Sequence, residues 1–334
     1  MKFRKFGDTE MLVSELGFGM WPIGGTQRIG DYGVVDLEEA KRAIKLALES
    51  GINLFDSAPA YGNGHAEEVL GDALEGIREK AIITTKCAVS WNYEEKTWIV
   101  DSSRSSIIES VERSLARLKT DWIDILLIHV PDPKAIPEDV MSTFDHLQRS
   151  GKVKYVGVSN FTIEQIQSYQ AFGTLNAQQS GYNLFDRRIE KEMISICREL
   201  KIGLMTYGAL CHGLLSGTWT KETTFNEDDW RSKGDVFGLP LFTKENFKNN
   251  IDVTNELKNF AKKSGHTLAQ LAIAWVLHNA DVAVALAGMC STSEVRENIE
   301  AIDWTLTLED LTEISKIMTK SSGKIGSNNY IVNS

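Results

Sequence analysis

Ile52-Asn53-Leu54-Phe55-Asp56-Ser57-Ala58-Pro59-Ala60-Tyr61 joins a short apolar run to a carboxylate and, five residues later, to a phenol. The apolar part reads as a buried strand that Asp56 closes. Two other runs end on polar side chains in the same way. Ala81-Ile82-Ile83-Thr84-Thr85 is closed by Lys86, and Ile123-Asp124-Ile125-Leu126-Leu127-Ile128 by His129. An acid, a phenol, an amine and an imidazole are therefore expected at one edge of one sheet, which is the outline of a proton-transfer site.

Working outward, apolar runs bounded by polar residues recur along the whole chain. Strands are expected near Val13–Gly19, Ile52–Asp56, Ala81–Lys86, Ile123–His129, Tyr155–Ser159, Leu175–Gln179, Gly203–Tyr207 and Val282–Ala287. Between them lie segments of helical spacing. Asp36 can cap the first helix with Glu39 three residues on, Leu37, Ala40, Ile44, Ala47 and Leu48 share its apolar face, and Gly51 ends it. Others run over about Ala66–Arg78, Ser105–Leu118, Pro137–Ser150, Thr162–Ala171, Ile189–Leu200, Thr267–His278 and Ser293–Ile299. Eight strands alternating with eight helices predict an α/β fold, a closed (β/α)8 TIM barrel formed by one domain over residues 1–334, with its site at the C-terminal strand ends. The alternative, a doubly wound open sheet, would carry a Gly-rich turn after its first strand; Gly17-Phe18-Gly19-Met20-Trp21-Pro22 lacks that spacing.

Three additions to the minimal barrel are expected. Lys2–Phe6 and Leu12–Glu15 form an N-terminal β-hairpin across Gly7-Asp8-Thr9, covering the barrel floor. A polar excursion after the seventh strand, from Thr218 to about Asn250, is too long for an ordinary connection and reads as a lid or ligand-binding loop. The polar tail, about 321–334, is either disordered or folded over the site.

The net charge of −10 disfavours a nucleic-acid or anionic-membrane partner. Cys87, Cys197, Cys211 and Cys290 show neither CxxC spacing nor disulfide density, so reduced thiols, a cytoplasmic location and no zinc site are expected. Met1–Gly7 has no apolar run behind it and is expected to stay in the fold, and Leu268–Leu277 is far short of a membrane span.

A phenol with an ordinary pKa of about 10 is a poor acid near neutrality, and an adjacent ammonium favours its phenolate. Lys86 supplies that charge, Asp56 orients Lys86, His129 hydrogen-bonds a substrate carbonyl, and Tyr61 donates the proton. These groups cannot themselves reduce a carbonyl, so a hydride-donating cofactor is required. Ser159, Asn160 and Gln179 offer polar groups to a carboxamide, and Tyr207 can stack on a ring. Gly213-Leu214-Leu215-Ser216-Gly217 allows close backbone approach, and Gly288 to Asn298 runs into a helix whose N-terminus favours a phosphate.

On these residues the chain resembles the aldo-keto reductase superfamily, in its bacterial-type members, from about Arg4 to Lys320. The most specific pieces are Asn53–Gly62, Val156-Gly157-Val158-Ser159-Asn160-Phe161 and Tyr182-Asn183-Leu184-Phe185. The resemblance implies carbonyl reduction by a nicotinamide cofactor, with Asp56, Tyr61, Lys86 and His129 as the catalytic tetrad. It implies Ser159, Asn160 and Gln179 as carboxamide binders, Tyr207 as the stacking aromatic, Leu214, Ser216 and Gly217 as the pyrophosphate loop, and Glu297 and Asn298 as adenine contacts. Trp21, Trp91, Tyr93, Val130 and parts of the excursion would wall the substrate pocket. NADP is the cofactor the resemblance implies, yet Cys290 stands where relatives carry a base, and Glu294 where they carry Gln or Arg. A carboxylate repels a 2′-phosphate and accepts bonds from a free diol, which favours NAD; Ser291, Arg296, Lys221, Arg231 and Lys233 are the groups that could still reach a phosphate. The expected activity is reduction of a small or sugar-like aldehyde or ketone. A regulatory or binding subunit with little turnover, and reduction of C=N bonds, are the alternatives. The residues do not specify oligomeric state.

Overall fold

The computed structural model of the 334-residue chain describes residues 1–25, 33–92, 94–95, 97–227 and 229–323. Eight parallel strands close into a barrel: β1 (Leu16–Gly19), β2 (Leu54–Asp56), β3 (Ile82–Cys87), β4 (Ile123–Ile128), β5 (Val153–Ser159), β6 (Ala177–Gly181), β7 (Gly203–Tyr207) and β8 (Val282–Gly288). Each pairs with the next, and β8 returns to β1 through Gly288 opposite Gly19. The α-helices are α1 (Leu37–Glu49), α2 (His65–Ala73), α3 (Arg104–Leu118), α4 (Pro137–Arg149), α5 (Ile163–Gln170), α6 (Met193–Glu199), α7 (Lys244–Lys263), α8 (Leu268–His278), α9 (Thr292–Ile299) and α10 (Leu308–Met318). Among the described residues no helix is long and apolar enough to cross a membrane.

The strands are apolar on both faces because both are buried. Phe55, Ile83, Leu126, Val156 and Val158 belong to the layer between sheet and helices, while Leu54, Ile125, Leu127, Ala177, Met205, Val284 and Leu286 fill the barrel. Side chains alternate with a period of two. One step of two beyond each interior residue therefore reaches the barrel mouth: Asp56 after Leu54, Lys86 after Thr84, His129 after Leu127, Ser159 after Gly157, Gln179 after Ala177 and Tyr207 after Met205. His129 lies just past β4, and its N–H still donates to Cys87 O at 3.1 Å, so the ladder extends to it.

The expected hairpin forms from Phe3–Lys5 and Leu12–Ser14 and closes the floor. Phe6 and Val13 are fully buried in the interior cluster, and the Asp8 N–H donates to Lys201 O at 2.8 Å. Gly203 is required there, since a Cβ on it would lie 2.5 Å from the Phe6 ring.

Three elements depart from the sequence reading. The excursion ends at Thr243, not Asn250, because α7 begins at Lys244 and runs for 20 residues. Its buried face includes Asn250 and Thr254 among Phe247, Ile251, Leu257 and Ala261, which interrupts the apolar stripe that would reveal it. A second hairpin, Val89–Asn92 with Thr97–Val100, follows β3, and α10 follows α9. The tail beyond Gly323 lies outside the described residues; up to it, Ser322 O accepts from Asn250 Nδ2 at 3.1 Å.

Phe6→Ala is expected to destabilise the barrel by about 3–5 kcal/mol, the cost of emptying a buried aromatic site, as measured by denaturant unfolding.

Candidate active site

A cavity of about 650 Å³ opens at the C-terminal ends of the strands. On its floor Lys86 is fully buried, and four oxygens surround its ammonium: Asp56 Oδ1 at 2.9 Å, Asp56 Oδ2 at 2.8 Å, Ser57 O at 2.9 Å and Tyr61 OH at 3.0 Å. Burial by itself would lower the Lys86 pKa, but the Asp56 carboxylate and the Tyr61 phenol outweigh it and leave the pKa raised. Lys86 is thus held charged against the phenol. The His129 ring stands edge-on to Tyr61, with centroids 5.9 Å apart at 85°, and both line the cavity. The four expected residues converge on one point, from β2, the turn after it, β3 and the end of β4.

Tyr61 is also fixed from outside. Its turn passes the turn of residues 21–24 so closely that a Cβ on Gly62 would lie 2.0 Å from Gly24 O, and Gly62 has a φ of +59°. That contact sets Trp21 parallel to Tyr61, at 6.0 Å and 15°.

Ser159, Asn160, Gln179 and Tyr207 line the cavity, and all four are hydrogen-bonded within the protein. Gln179 Nε2 donates to Asp56 Oδ1 at 2.7 Å, and Tyr207 OH donates to Asn160 Oδ1 at 2.8 Å. Asn160 in turn donates to His129 O at 3.0 Å from a left-handed conformation of φ +64°. The Asn160 N–H also donates to Gln179 O at 3.0 Å, so the polar residues at the ends of β5–β7 and the Asp56–Lys86–Tyr61 centre form one hydrogen-bonded network.

Ser216, Gly288, Cys290 and Glu294 also line the cavity; Leu214, Gly217, Glu297 and Asn298 do not. Leu214 and Asn298 are buried, Gly217 O accepts from Lys258 Nζ at 2.8 Å, and Glu297 O accepts from Gln270 Nε2 at 3.0 Å. Glu294 Oε2 accepts from the Cys290 and Ser291 N–H groups at 2.8 and 3.1 Å, and Ser291 Oγ reciprocates at the start of α9. Burial first, then Glu294, pushes the Cys290 thiol up to about 12.

For the substrate wall, Trp21 and Val130 line the cavity. Trp91 does not. It sits directly opposite Trp98 in the hairpin and packs edge-on against it at 5.2 Å, and Trp98 and Val89 supply the wall instead. Tyr93 lies outside the described residues. The excursion reaches the cavity with Trp219, Trp230, Arg231, Lys233, Asp235 and Phe237. Trp230 stacks on Trp21 at 5.4 Å, and Phe237 packs against Tyr207 at 5.9 Å. Two arginines pin it down. Arg231, clamped by Asp229, donates to His212 O at 3.0 Å; Arg188, clamped by Asp186, donates to Phe237 O at 2.9 Å. His212 lines the cavity too, and burial, then Arg231, hold its imidazole down to about 3, so it is neutral. Of the bases considered for a phosphate, Lys221 pairs with Asp252 at 2.6 Å, while Arg231 and Lys233 line the cavity. Sequence reasoning missed Arg188, His212, Trp98 and Phe237; the aromatic residues of 219–237 were the signal that the excursion was more than a polar loop.

The fold and site together are those of a closed parallel (β/α)8 barrel with a buried Asp–Lys–Tyr centre at its mouth. The chain belongs to the Aldo/keto reductase family, whose family model matches residues 15–319. It is 36% identical over 321 residues, 95% of this chain and 94% of that protein, to aldo-keto reductase YhdN of Bacillus subtilis. It is 31% identical to an NADH-specific methylglyoxal reductase of Escherichia coli, over 93% of this chain and 97% of that protein. Among solved structures, the glycerol dehydrogenase AKR11B4 of Gluconobacter oxydans superposes with a TM-score of 0.85 at 32% identity, covering 99% of this chain and 98% of that one.

Gly62→Ala introduces both the clash with Gly24 and a strained left-handed alanine, and is expected to lower stability by about 1–3 kcal/mol, read from thermal melting.

Proposed function

We propose that the chain reduces a small, uncharged or sugar-like aldehyde or ketone to an alcohol, with Tyr61 as the proton donor and NADH favoured over NADPH. The observation that carries this reading is the fully buried Lys86, paired to Asp56 and 3.0 Å from the Tyr61 phenol on the floor of a cavity.

The residues suit a nicotinamide dinucleotide. Amide and hydroxyl groups of Ser159, Asn160 and Gln179 and the Tyr207 ring lie on one side of the cavity, and Ser216 and Gly288 continue its wall toward β8. A bound reduced nicotinamide supplies the hydride to the carbonyl carbon. The chain supplies the proton and the field. Lys86 donates to the phenol oxygen, so the proton of Tyr61 is directed elsewhere, and a carbonyl oxygen between Tyr61 and His129 receives it. The phenolate left behind is stabilised by the Lys86 ammonium, whose own charge Asp56 balances and orients. Gln179 holds Asp56 Oδ1, so the carboxylate stays in place as charge develops. The aromatic wall of Trp21, Trp98, Trp230 and Phe237 limits water around the reacting oxygen.

Two relatives are by name a methylglyoxal reductase and a glycerol dehydrogenase, both concerned with three-carbon substrates, which supports a small carbonyl here. The former is NADH-specific by name. Cys290 and Glu294 in place of a base and an amide favour the same cofactor.

The test measures consumption of NADH and of NADPH with DL-glyceraldehyde. Tyr61→Phe is expected to lower kcat by about 10²–10⁴, the worth of a general acid, with NADH affinity kept within about twofold. A Tyr61→Phe enzyme as fast as the parent would overturn the proton-donor role; a parent that binds NADH but turns over no small aldehyde would favour a binding subunit. Asp56→Asn removes the charge that raises the Lys86 pKa, so the alkaline limb of the kcat profile is expected to move to lower pH.

A further inference from the structure

Glu39, on the face of it the partner of Asp36 in a helix cap, does something else in the folded chain. Asp36 caps α1 with its own carboxylate, accepting from the Glu38 and Glu39 N–H groups at 3.0 and 3.1 Å. The Glu39 carboxylate crosses to the adjacent helix α9, where Oε1 accepts from Thr292 N at 2.7 Å and Thr292 Oγ1 at 2.6 Å. Glu294 meanwhile takes the Cys290 and Ser291 N–H groups. Two carboxylates from different helices thus occupy three consecutive backbone donors, Cys290, Ser291 and Thr292. Such donors at a helix start are what an anionic ligand would otherwise use.

Of these residues Cys290 and Glu294 line the cavity, while Glu39, Ser291 and Thr292 adjoin that lining without being part of it. In the closed strand order β8 is diametrically opposite β4, so they face His129 across the mouth. If the nicotinamide lies beside Tyr61 and His129, as the proposed function requires, the β8 end receives the adenylate half of the cofactor.

We propose that Glu39, acting with Glu294, is a specificity determinant that rejects a phosphorylated adenosine ribose: the protein's own carboxylates fill the anion position at the start of α9. A 2′-phosphate would have to displace a bonded carboxylate and then sit against two negative charges. A free ribose diol meets carboxylate oxygens as acceptors instead. The bonds from Thr292, followed by that from Arg42, hold the Glu39 carboxyl down to about 2, so its charge is present throughout the working pH range. Arg42 donates from Nε and Nη2 to the other oxygen, Glu39 Oε2, at 3.0 and 2.9 Å, so Oε1 is left to Thr292. This inference rests on the nicotinamide-dependent reading above.

Direct binding decides it without turnover. NADH, NADPH and the fragment 2′,5′-ADP are titrated into the parent, Glu39→Gln, Glu294→Gln and the double variant, following the fluorescence of the chain's 8 tryptophans. Glutamine keeps a carbonyl oxygen for Thr292, and a thermal melt confirms that each variant is folded. The parent is expected to bind NADH more tightly than NADPH. Glu39→Gln is expected to tighten NADPH and 2′,5′-ADP by about tenfold while NADH stays within about twofold, and the double variant to go further. If the parent prefers NADH but Glu39→Gln leaves the ratio unchanged, Glu39 is only a link between helices and the inference falls while the function stands. If the parent binds neither dinucleotide, the proposed function falls and takes the inference with it.

Discussion

The ion pair between Lys86 and Asp56 is the constraint around which the rest is arranged. Both side chains are almost wholly withdrawn from water, at 1% and 5% exposure. Desolvating two charges costs several kcal/mol per ion, and their attraction repays that only when geometry and further hydrogen bonds are complete. Here they are. Ser57 O and Tyr61 OH complete the ammonium, and Gln179 Nε2 completes the carboxylate. A pair this costly is poor evidence of a device for stability alone. Its value lies in keeping a fixed positive charge against a phenol at the base of a cavity.

Barrel closure makes that arrangement possible. β2 and β3 are neighbours in register, with Asp56 opposite Thr84, so Lys86 lies one inward step further along the adjacent strand and reaches back to the carboxylate. The same parity turns the apolar interior into a polar mouth on six strands in succession. The floor hairpin complements this from below: Phe6 and Val13 fill that end of the interior, and the polar side chains buried with them, Thr9 and Ser14, donate to the carbonyls of Phe6 and Leu16. Stability and chemistry are thereby separated along the barrel axis.

The excursion of residues 218–243 supplies what the strands cannot. It is held by two arginines, each guanidinium locked by a carboxylate and spending a remaining donor on a backbone carbonyl, and by Trp219 and Phe225 packed on Phe247 of α7. It brings Trp230 and Phe237 onto Trp21 and Tyr207, joining an acid centre built on β2–β4 to a cradle built on β5–β7. The proposed site of cofactor choice is a third place, β8 and the start of α9, where the helix-starting donors are already occupied.

The sequence alone was enough for the barrel and for bringing Asp56, Tyr61, Lys86 and His129 together at its mouth. Strand-ending polar residues and an eightfold alternation are local patterns, and a period of two puts strand-end residues on the inner face whatever the packing around them. Ser159, Asn160, Gln179 and Tyr207 were legible for the same reason. Tertiary structure decided everything that depends on which surfaces meet. Trp98 rather than Trp91 forms the wall, and nothing local separates two tryptophans that face each other across one hairpin. The 20-residue α7 hid behind Asn250, whose Nδ2 donates to Leu241 O and Ser322 O and whose Oδ1 accepts from the Ser322 N–H, 72 residues away. Glu39 looked like any capping glutamate, because nothing local distinguishes a carboxylate that returns to its own helix from one that reaches Thr292, 253 residues away. Hydrogen bonds between elements are written only when the barrel closes and sets α1 beside α9.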